Sequence, residues 1–339
     1  MASLKKYLGA VALFSCMSEI NAGFNPDSYN NVAVYWGQNS RGTAGSQLRL
    51  SHYCDSPDVD VFMLSFVVRI NGIGGVPQVN WANQGDICKP FPGTDLLYCP
   101  QIGEDIKTCQ AKGKTILLSI GGATYNEGGF RMPADAVKGA NMIWEIFGPP
   151  KANSTAVRPF DDAVVDGIDL DFEAVTRNMI PFSNELRRLW DADTSKPYYL
   201  TAAPQCPYPD MNNKELLEGG VIFDALFIQF YNNYCGVNSW TPNSDTQNNF
   251  NFNQWENWAK TISKNKKVKV MVGAPANAGA GAGYVSAQRL AQIATWCKRY
   301  ESFGGVMLWD ASQAWANSGF IATVKKSLGS FTSRFARTL

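Results

Sequence analysis

The stretch Val164–Val175, VVDGIDLDFEAV, poses a conflict that decides the fold. Its Val, Ile, Leu and Phe residues spell a buried strand, yet Asp166, Asp169, Asp171 and Glu173 are interleaved with them. Carboxylates are seldom buried unless something holds them. Successive side chains of a strand face opposite sides. Asp169, Asp171 and Glu173 therefore share one face, and Ile168, Leu170 and Phe172 share the other. A strand that is apolar toward covering helices and acidic toward an enclosed hollow meets both demands. Asp166 has the opposite parity and lies near the strand start, so a structural role is expected for it.

Seven further β-rich runs flank this one: NVAVYWG from Asn31, VDVFMLSFVV from Val59, KTILLSIGG from Lys114, YYLTAAP from Tyr198, ALFIQFYNN from Ala225, KVMVGAPA from Lys269 and GGVMLWD from Gly304. Amphipathic segments such as ADAVKGANMIWEIF, PFSNELRRLWDA, FNQWENWAKTIS and SAQRLAQIATWCKRY lie between them. Near-continuous apolar strands alternating with helices imply a parallel sheet covered by helices. Eight units predict an α/β fold, the (β/α)8 TIM barrel, as a single domain, with an open doubly wound sheet as the alternative. Several runs end in small or polar residues, including Gly121-Gly122, Gln229, Tyr231 and Asn232, and Trp309-Asp310. Active sites of such barrels sit at those C-terminal ends. SIGGATYNEGG, at the exit of the third strand, reads either as a backbone that a ligand can approach closely or as a flexible turn.

Three carboxylates on one inward face cannot all ionise easily, so a proton is expected to stay among them near neutrality. A carboxyl kept protonated is what a general acid needs, and Glu173, outermost and longest, is the expected donor to a leaving oxygen. Conventional retaining glycosidases set acid and nucleophile about 5–5.5 Å apart across the scissile bond. Asp171 and Glu173 stand roughly 6.6 Å apart along one strand and approach from one wall. Asp171 is thus badly placed to attack, whereas an acetamido group of the substrate could close on its own sugar as an oxazolinium ion that Asp171 orients. Acid clusters also bind Mg²⁺ or Ca²⁺, and a purely structural acid network is the third reading.

Composition bounds the rest. The chain has 339 residues, 45% of them hydrophobic, enough for one large core. MASLKK followed by YLGAVALFSCM and EINA reads as a secretory leader over residues 1–22, since its apolar run is too short to span a bilayer. Without it acids and bases are equal in number, which argues against nucleic acid as a partner. No later run has membrane length, and the polar, basic end SLGSFTSRFARTL reads against a glycolipid anchor. Residues 23–327 are expected to form the catalytic domain and 328–339 a short tail. The only histidine, His52, leaves no Ser-His-Asp or HExxH chemistry, and no dinucleotide fingerprint follows a strand, so no cofactor and no metal are expected. Beyond the leader, seven cysteines imply three disulfides and a spare, assigned to Cys297 in its helical run. Cys206 and Cys235 follow adjacent strands, close enough to bridge. Asn153-Ser154-Thr155 is a glycosylation triplet.

DGIDLDFE resembles the DGxDxDxE signature of glycoside hydrolase family 18. VYWGQN, SIGG, LTAAPQCP, QFYNN and GGVMLW resemble its class III chitinases in order, from about Asn31 to Ser327. Family 18 is a substrate-assisted exception to the two-carboxylate rule, so the strand geometry and the family chemistry are not independent. The resemblance implies that Glu173 is the acid/base, Asp171 the acetamido-orienting carboxylate and Asp169 its charge partner. It implies that Tyr231 hydrogen-bonds the acetamido oxygen, with Gln229 and Asn232 around it. Trp309 would lie under the sugar, and Tyr35, Gly122 and Asn80 would be further substrate contacts. It also implies disulfides Cys54–Cys109 and Cys88–Cys99 beside Cys206–Cys235. The short span Asn277 to Phe303 leaves no room for the α+β insertion of deep-clefted members. The expected protein is therefore a secreted, extracellular or cell-wall endo-chitinase, a monomer acting on chitin and chito-oligosaccharides and not at a membrane. The alternatives are an endo-β-N-acetylglucosaminidase acting on glycoproteins and a non-catalytic lectin or inhibitor.

Overall fold

The eight runs form eight parallel strands: β1 (Asn31–Trp36), β2 (Val61–Arg69), β3 (Thr115–Gly121), β4 (Gly167–Asp171), β5 (Tyr199–Ala202), β6 (Ala225–Gln229), β7 (Lys269–Pro275) and β8 (Phe303–Trp309). A computed structural model describes residues 23–329. Each strand pairs with the next, and β8 pairs with β1, so the sheet closes on itself. The structure is the predicted TIM barrel rather than an open doubly wound sheet. The expected leader lies outside the described residues, as does the tail beyond Gly329.

Nine helices are described: α1 (Leu50–Tyr53), α2 (Pro100–Ala111), α3 (Pro133–Phe147), α4 (Met179–Asp191), α5 (Lys214–Glu218), α6 (Phe252–Thr261), α7 (Ala287–Cys297), α8 (Ala311–Ala316) and α9 (Phe320–Leu328). Leu328 thus still belongs to the last helix rather than to a tail. The local logic is plain in α7. The Ser286 hydroxyl accepts from the Arg289 amide at its start, and the buried residues Leu290, Ile293, Ala294 and Cys297 recur at helical spacing. Cys297 is a free, buried thiol, and burial pushes its pKa well up. Between β7 and β8 the structure places one short 3-10 turn, Ala278–Ala280, and α7, with no inserted sheet.

Two apolar layers divide at the sheet. Ile168, Leu170 and Phe172 join the outer layer with residues of α3 and α4. The inner layer includes Ala33, Tyr35, Met63, Leu117, Phe227, Met271 and Met307. Phe24 closes the lower end, its ring edge-on to Tyr199 at 5.1 Å and its amide donating to the Thr115 hydroxyl at 2.9 Å. Asp166 serves this lower end. It accepts from the Ile116 amide at 2.8 Å and pairs with Lys196 at 2.5 Å, in keeping with the structural role its parity implied.

Three disulfides join Cys54 to Cys109, Cys88 to Cys99 and Cys206 to Cys235. Cys88 and Cys99 bracket a small hairpin, Lys89–Pro90 with Leu97–Tyr98. Cys206–Cys235 ties the exits of β5 and β6 with a Cα separation of 5.9 Å.

Gly167 opens β4 at φ +150°, and a Cβ there would lie 1.9 Å from the Tyr199 carbonyl oxygen. No side chain can be accommodated without moving β5. Gly167→Ala should therefore lower unfolding stability by about 2–4 kcal/mol, read from urea denaturation.

Candidate active site

The upper end of β4 carries the site. Register places Ser119 of β3, Asp169 of β4 and Thr201 of β5 side by side across three strands. Both flanking hydroxyls turn inward to Asp169. Ser119 donates to Oδ2 at 2.7 Å and Thr201 to Oδ1 at 2.7 Å. Tyr35, from β1 across the barrel, adds a third hydroxyl to Oδ2 at 2.7 Å. Asp169 is fully buried. Among the described residues no lysine or arginine forms an ion pair with it, so hydroxyl dipoles alone hold its charge.

One inward step higher, Asp171 is 3% exposed and accepts from the Gln229 amide at 2.9 Å. Gln229 in turn is oriented by donating to the Ala203 carbonyl at 3.0 Å. Glu173 lies two residues past the end of the paired strand and is half-buried. The ladder gives out there, and side-chain amides replace it. Asn213 donates to the Phe172 carbonyl at 2.9 Å and Asn212 to that of Glu173 at 2.9 Å.

The electrostatics follow. Burial drives the Asp171 carboxyl well above the usual carboxylate range, and the charges of Glu173 and Asp169 push the same way. Burial also raises Asp169, but the hydroxyls of Thr201, Ser119 and Tyr35 pull it back. Glu173 is raised by burial and by the charge of Asp210, with the Gln229 amide opposing. Tyr231, 6% exposed, is held protonated by burial and by the neighbouring charges of Asp171 and Glu173. The site thus brings together a donor phenol and a protonatable carboxylate pair.

Trp309 is half-buried at the end of β8, stacked on Phe66 at 6.0 Å and tilted against Tyr35 at 5.4 Å. Other expected contacts are engaged within the protein. Tyr35 is 1% exposed and its hydroxyl is taken by Asp169, so it supports the floor from below. The close approach read at the exit of β3 is made by Phe66. A Cβ on Gly122 would lie 2.7 Å from that ring, and the Gly122 amide donates to the Asp171 carbonyl at 2.7 Å. Asn80 accepts from the Ala82 amide at 2.8 Å, and Asn232 from the Ala282 amide at 2.8 Å. Asn80 therefore braces its own mouth loop, and Asn232 ties the exit of β6 to the segment after β7.

Ser119, Thr201, Phe66 and Asp210 were not singled out from sequence. For the two hydroxyl residues a signal existed, because each is a polar residue at an inward position of an apolar run. Asp210 gave none, since it sits in an irregular segment after β5. Among the described residues no cluster of three or more metal-binding side chains occurs.

Residues 31–283 match the family model described as glycosyl hydrolases family 18. A class III chitinase of Arthroderma benhamiae is 60% identical over 339 residues, covering 99% of this chain and 97% of that protein. Endochitinase 33 of Trichoderma harzianum is 46% identical over 318 residues, covering 94% and 97%. A solved xylanase and α-amylase inhibitor protein from Scadoxus multiflorus superposes with a TM-score of 0.70 at 27% identity, covering 89% of this chain and 99% of that one.

Thr201→Val deletes one donor at constant shape and leaves Asp169 Oδ1 with no hydroxyl. Unfolding stability near neutrality should fall by about 1.5–3 kcal/mol. The lost bond favoured the ionised form, so the variant's Asp169 binds its proton more tightly. The deficit should therefore shrink in acid, where both proteins are protonated, as urea denaturation at the two pH values would read.

Proposed function

The chain belongs to glycosyl hydrolases family 18, and from that premise we propose a secreted endo-chitinase that cleaves β-1,4 bonds between N-acetylglucosamine units with retention. The observation that carries the reading is the inward trio Asp169, Asp171 and Glu173, each backed by its own donors or charges. Glu173 protonates the glycosidic oxygen as the bond to C1 breaks. The acetamido oxygen of the same sugar closes on C1 and gives an oxazolinium ion. Asp171 accepts from the acetamido N–H, and the phenol of Tyr231 donates to the acetamido oxygen. Water then attacks C1 while the Glu173 carboxylate takes its proton, so two inversions leave the configuration retained. Gln229 fixes Asp171, and Asp169, braced by three hydroxyls, supplies the fixed negative charge beneath it. Trp309 offers a face for the apolar side of the sugar ring.

Export is supported by the leader-like residues 1–22 and by three disulfides, which suit an oxidising compartment. Among the described residues no helix is long and apolar enough to cross a membrane. Endo action is supported by the short connection between β7 and β8, which raises no wall across the groove. The likeness to an inhibitor protein favours a non-catalytic reading, but the intact acids and their hydroxyl partners weigh for turnover.

Glu173→Gln should lower kcat by about 10³-fold while chito-oligosaccharide binding persists, as turnover and calorimetry would show. Near-normal hydrolysis would remove Glu173 from its role. Early products of N-acetylglucosamine oligomers, resolved by NMR, should be β-anomers, and fully deacetylated oligomers should resist cleavage. Release of N-glycans from a glycoprotein in the same assay would favour the endo-β-N-acetylglucosaminidase reading instead.

A further inference from the structure

Asp210 lies outside the strand that carries the acids, in the segment between β5 and α5, and is 4% exposed. Its carboxylate gathers three N–H donors. The Gln205 amide at 3.1 Å and the Asn213 side chain at 2.7 Å reach Oδ2, and the Asn212 amide at 3.1 Å reaches Oδ1. Burial raises its pKa, and these donors, all of which suit the ionised form, pull it back. Among the described residues no lysine or arginine forms an ion pair with it. A nearly buried negative charge without a cation is costly, and hydrogen-bond donors are what offset that cost here.

Its partners reach back to the acid strand. The Asn213 amide that donates to Asp210 also donates to the Phe172 carbonyl, and the Asn212 side chain donates to the Glu173 carbonyl. Asn213 Oδ1 is left buried with no partner. An unsatisfied buried acceptor costs about 1–3 kcal/mol. The amide is therefore turned to serve Asp210 and Phe172 at the expense of its own oxygen. The segment clamps the two peptides that carry the Glu173 side chain past the end of β4.

We propose that Asp210 is a positioning residue for the acid/base. Through Asn212 and Asn213 it holds the main chain of Glu173, and one shared amide nitrogen separates its carboxylate from the Phe172–Glu173 peptide. This rests on Glu173 being the acid. The charged and titratable groups that bear on Glu173 are Asp171 of β4, Asp210 after β5 and Tyr231 after β6, with Asp169 acting through Asp171. Burial raises Glu173 first, and Asp210 is the charge that adds to it.

The two arms separate by experiment. The upper limb of the kcat/KM profile on a chito-oligosaccharide reports loss of the proton shared by Asp171 and Glu173 in the free enzyme. Asp210→Asn removes a negative charge, so the carboxylate form becomes easier to reach and the limb should move to lower pH by about half a unit or more. Asn212→Ala keeps the charge and loosens the clamp, so kcat should fall several-fold with the limb in place. If Asp210→Asn does not fold, Asp210→Ser keeps one acceptor and reads the same limb. A limb that stays put in the folded charge variant overturns the electrostatic role, and unchanged kcat in Asn212→Ala overturns the clamp. Glu173→Gln runs beside them. If that variant stays active the acid/base assignment itself fails, whereas if it is inactive and the limb does not move, only the role of Asp210 fails.

Discussion

A buried negative charge held by hydroxyl groups alone is the constraint around which this barrel is arranged. Asp169 has no ion-pair partner among the described residues, and its oxygens receive Ser119, Thr201 and Tyr35. Two of those hydroxyls come from the neighbouring strands in direct register, and the third spans the barrel from β1. Sheet register, closure and charge burial are therefore one requirement. A slip of one residue in β3 or β5 would turn a hydroxyl to the helix side and strand the carboxylate. Burial first, and then the charges of Glu173 and Asp169, hold the Asp171 carboxyl above the usual carboxylate range.

Above that level the structure passes from sheet to loops, and the means of holding side chains changes with it. Asp171 still sits on the strand, but its partner Gln229 comes from β6, two strands away. Glu173 has left the ladder, and asparagine side chains stand in for strand neighbours. The Cys206–Cys235 bridge anchors the same region by tying the β5 and β6 exits. Rigid placement of the acids thus depends on segments that carry no acid of the trio themselves.

This division explains what could be read from the chain. The eight strands and their inward parity follow from local pattern, because alternation and apolar runs are short-range properties. Asp169, Asp171 and Glu173 were legible for that reason, as was the lower-end role of Asp166. The family resemblance alone implies a sugar contact for Tyr35. Only the closed barrel shows its hydroxyl reaching a residue 134 positions away. The Gly121-Gly122 exit reads as a ligand approach or as a turn, and only the fold brings the Phe66 ring to within 2.7 Å of where a Gly122 Cβ would lie. Asp210 was invisible since nothing periodic surrounds it, and its meaning lies in two asparagines folding back on β4.

The odd cysteine has a consequence for how the molecule reaches its native pairing. Cys297 lies on the inner face of α7 with its thiol buried and strongly disfavoured from ionising. Exchange between sulfurs requires a thiolate that can reach its target. Once the helix has docked, this sulfur is withdrawn from such traffic. Among the described residues, the barrel therefore keeps its unpaired sulfur buried away from shuffled isomers and covalent dimers.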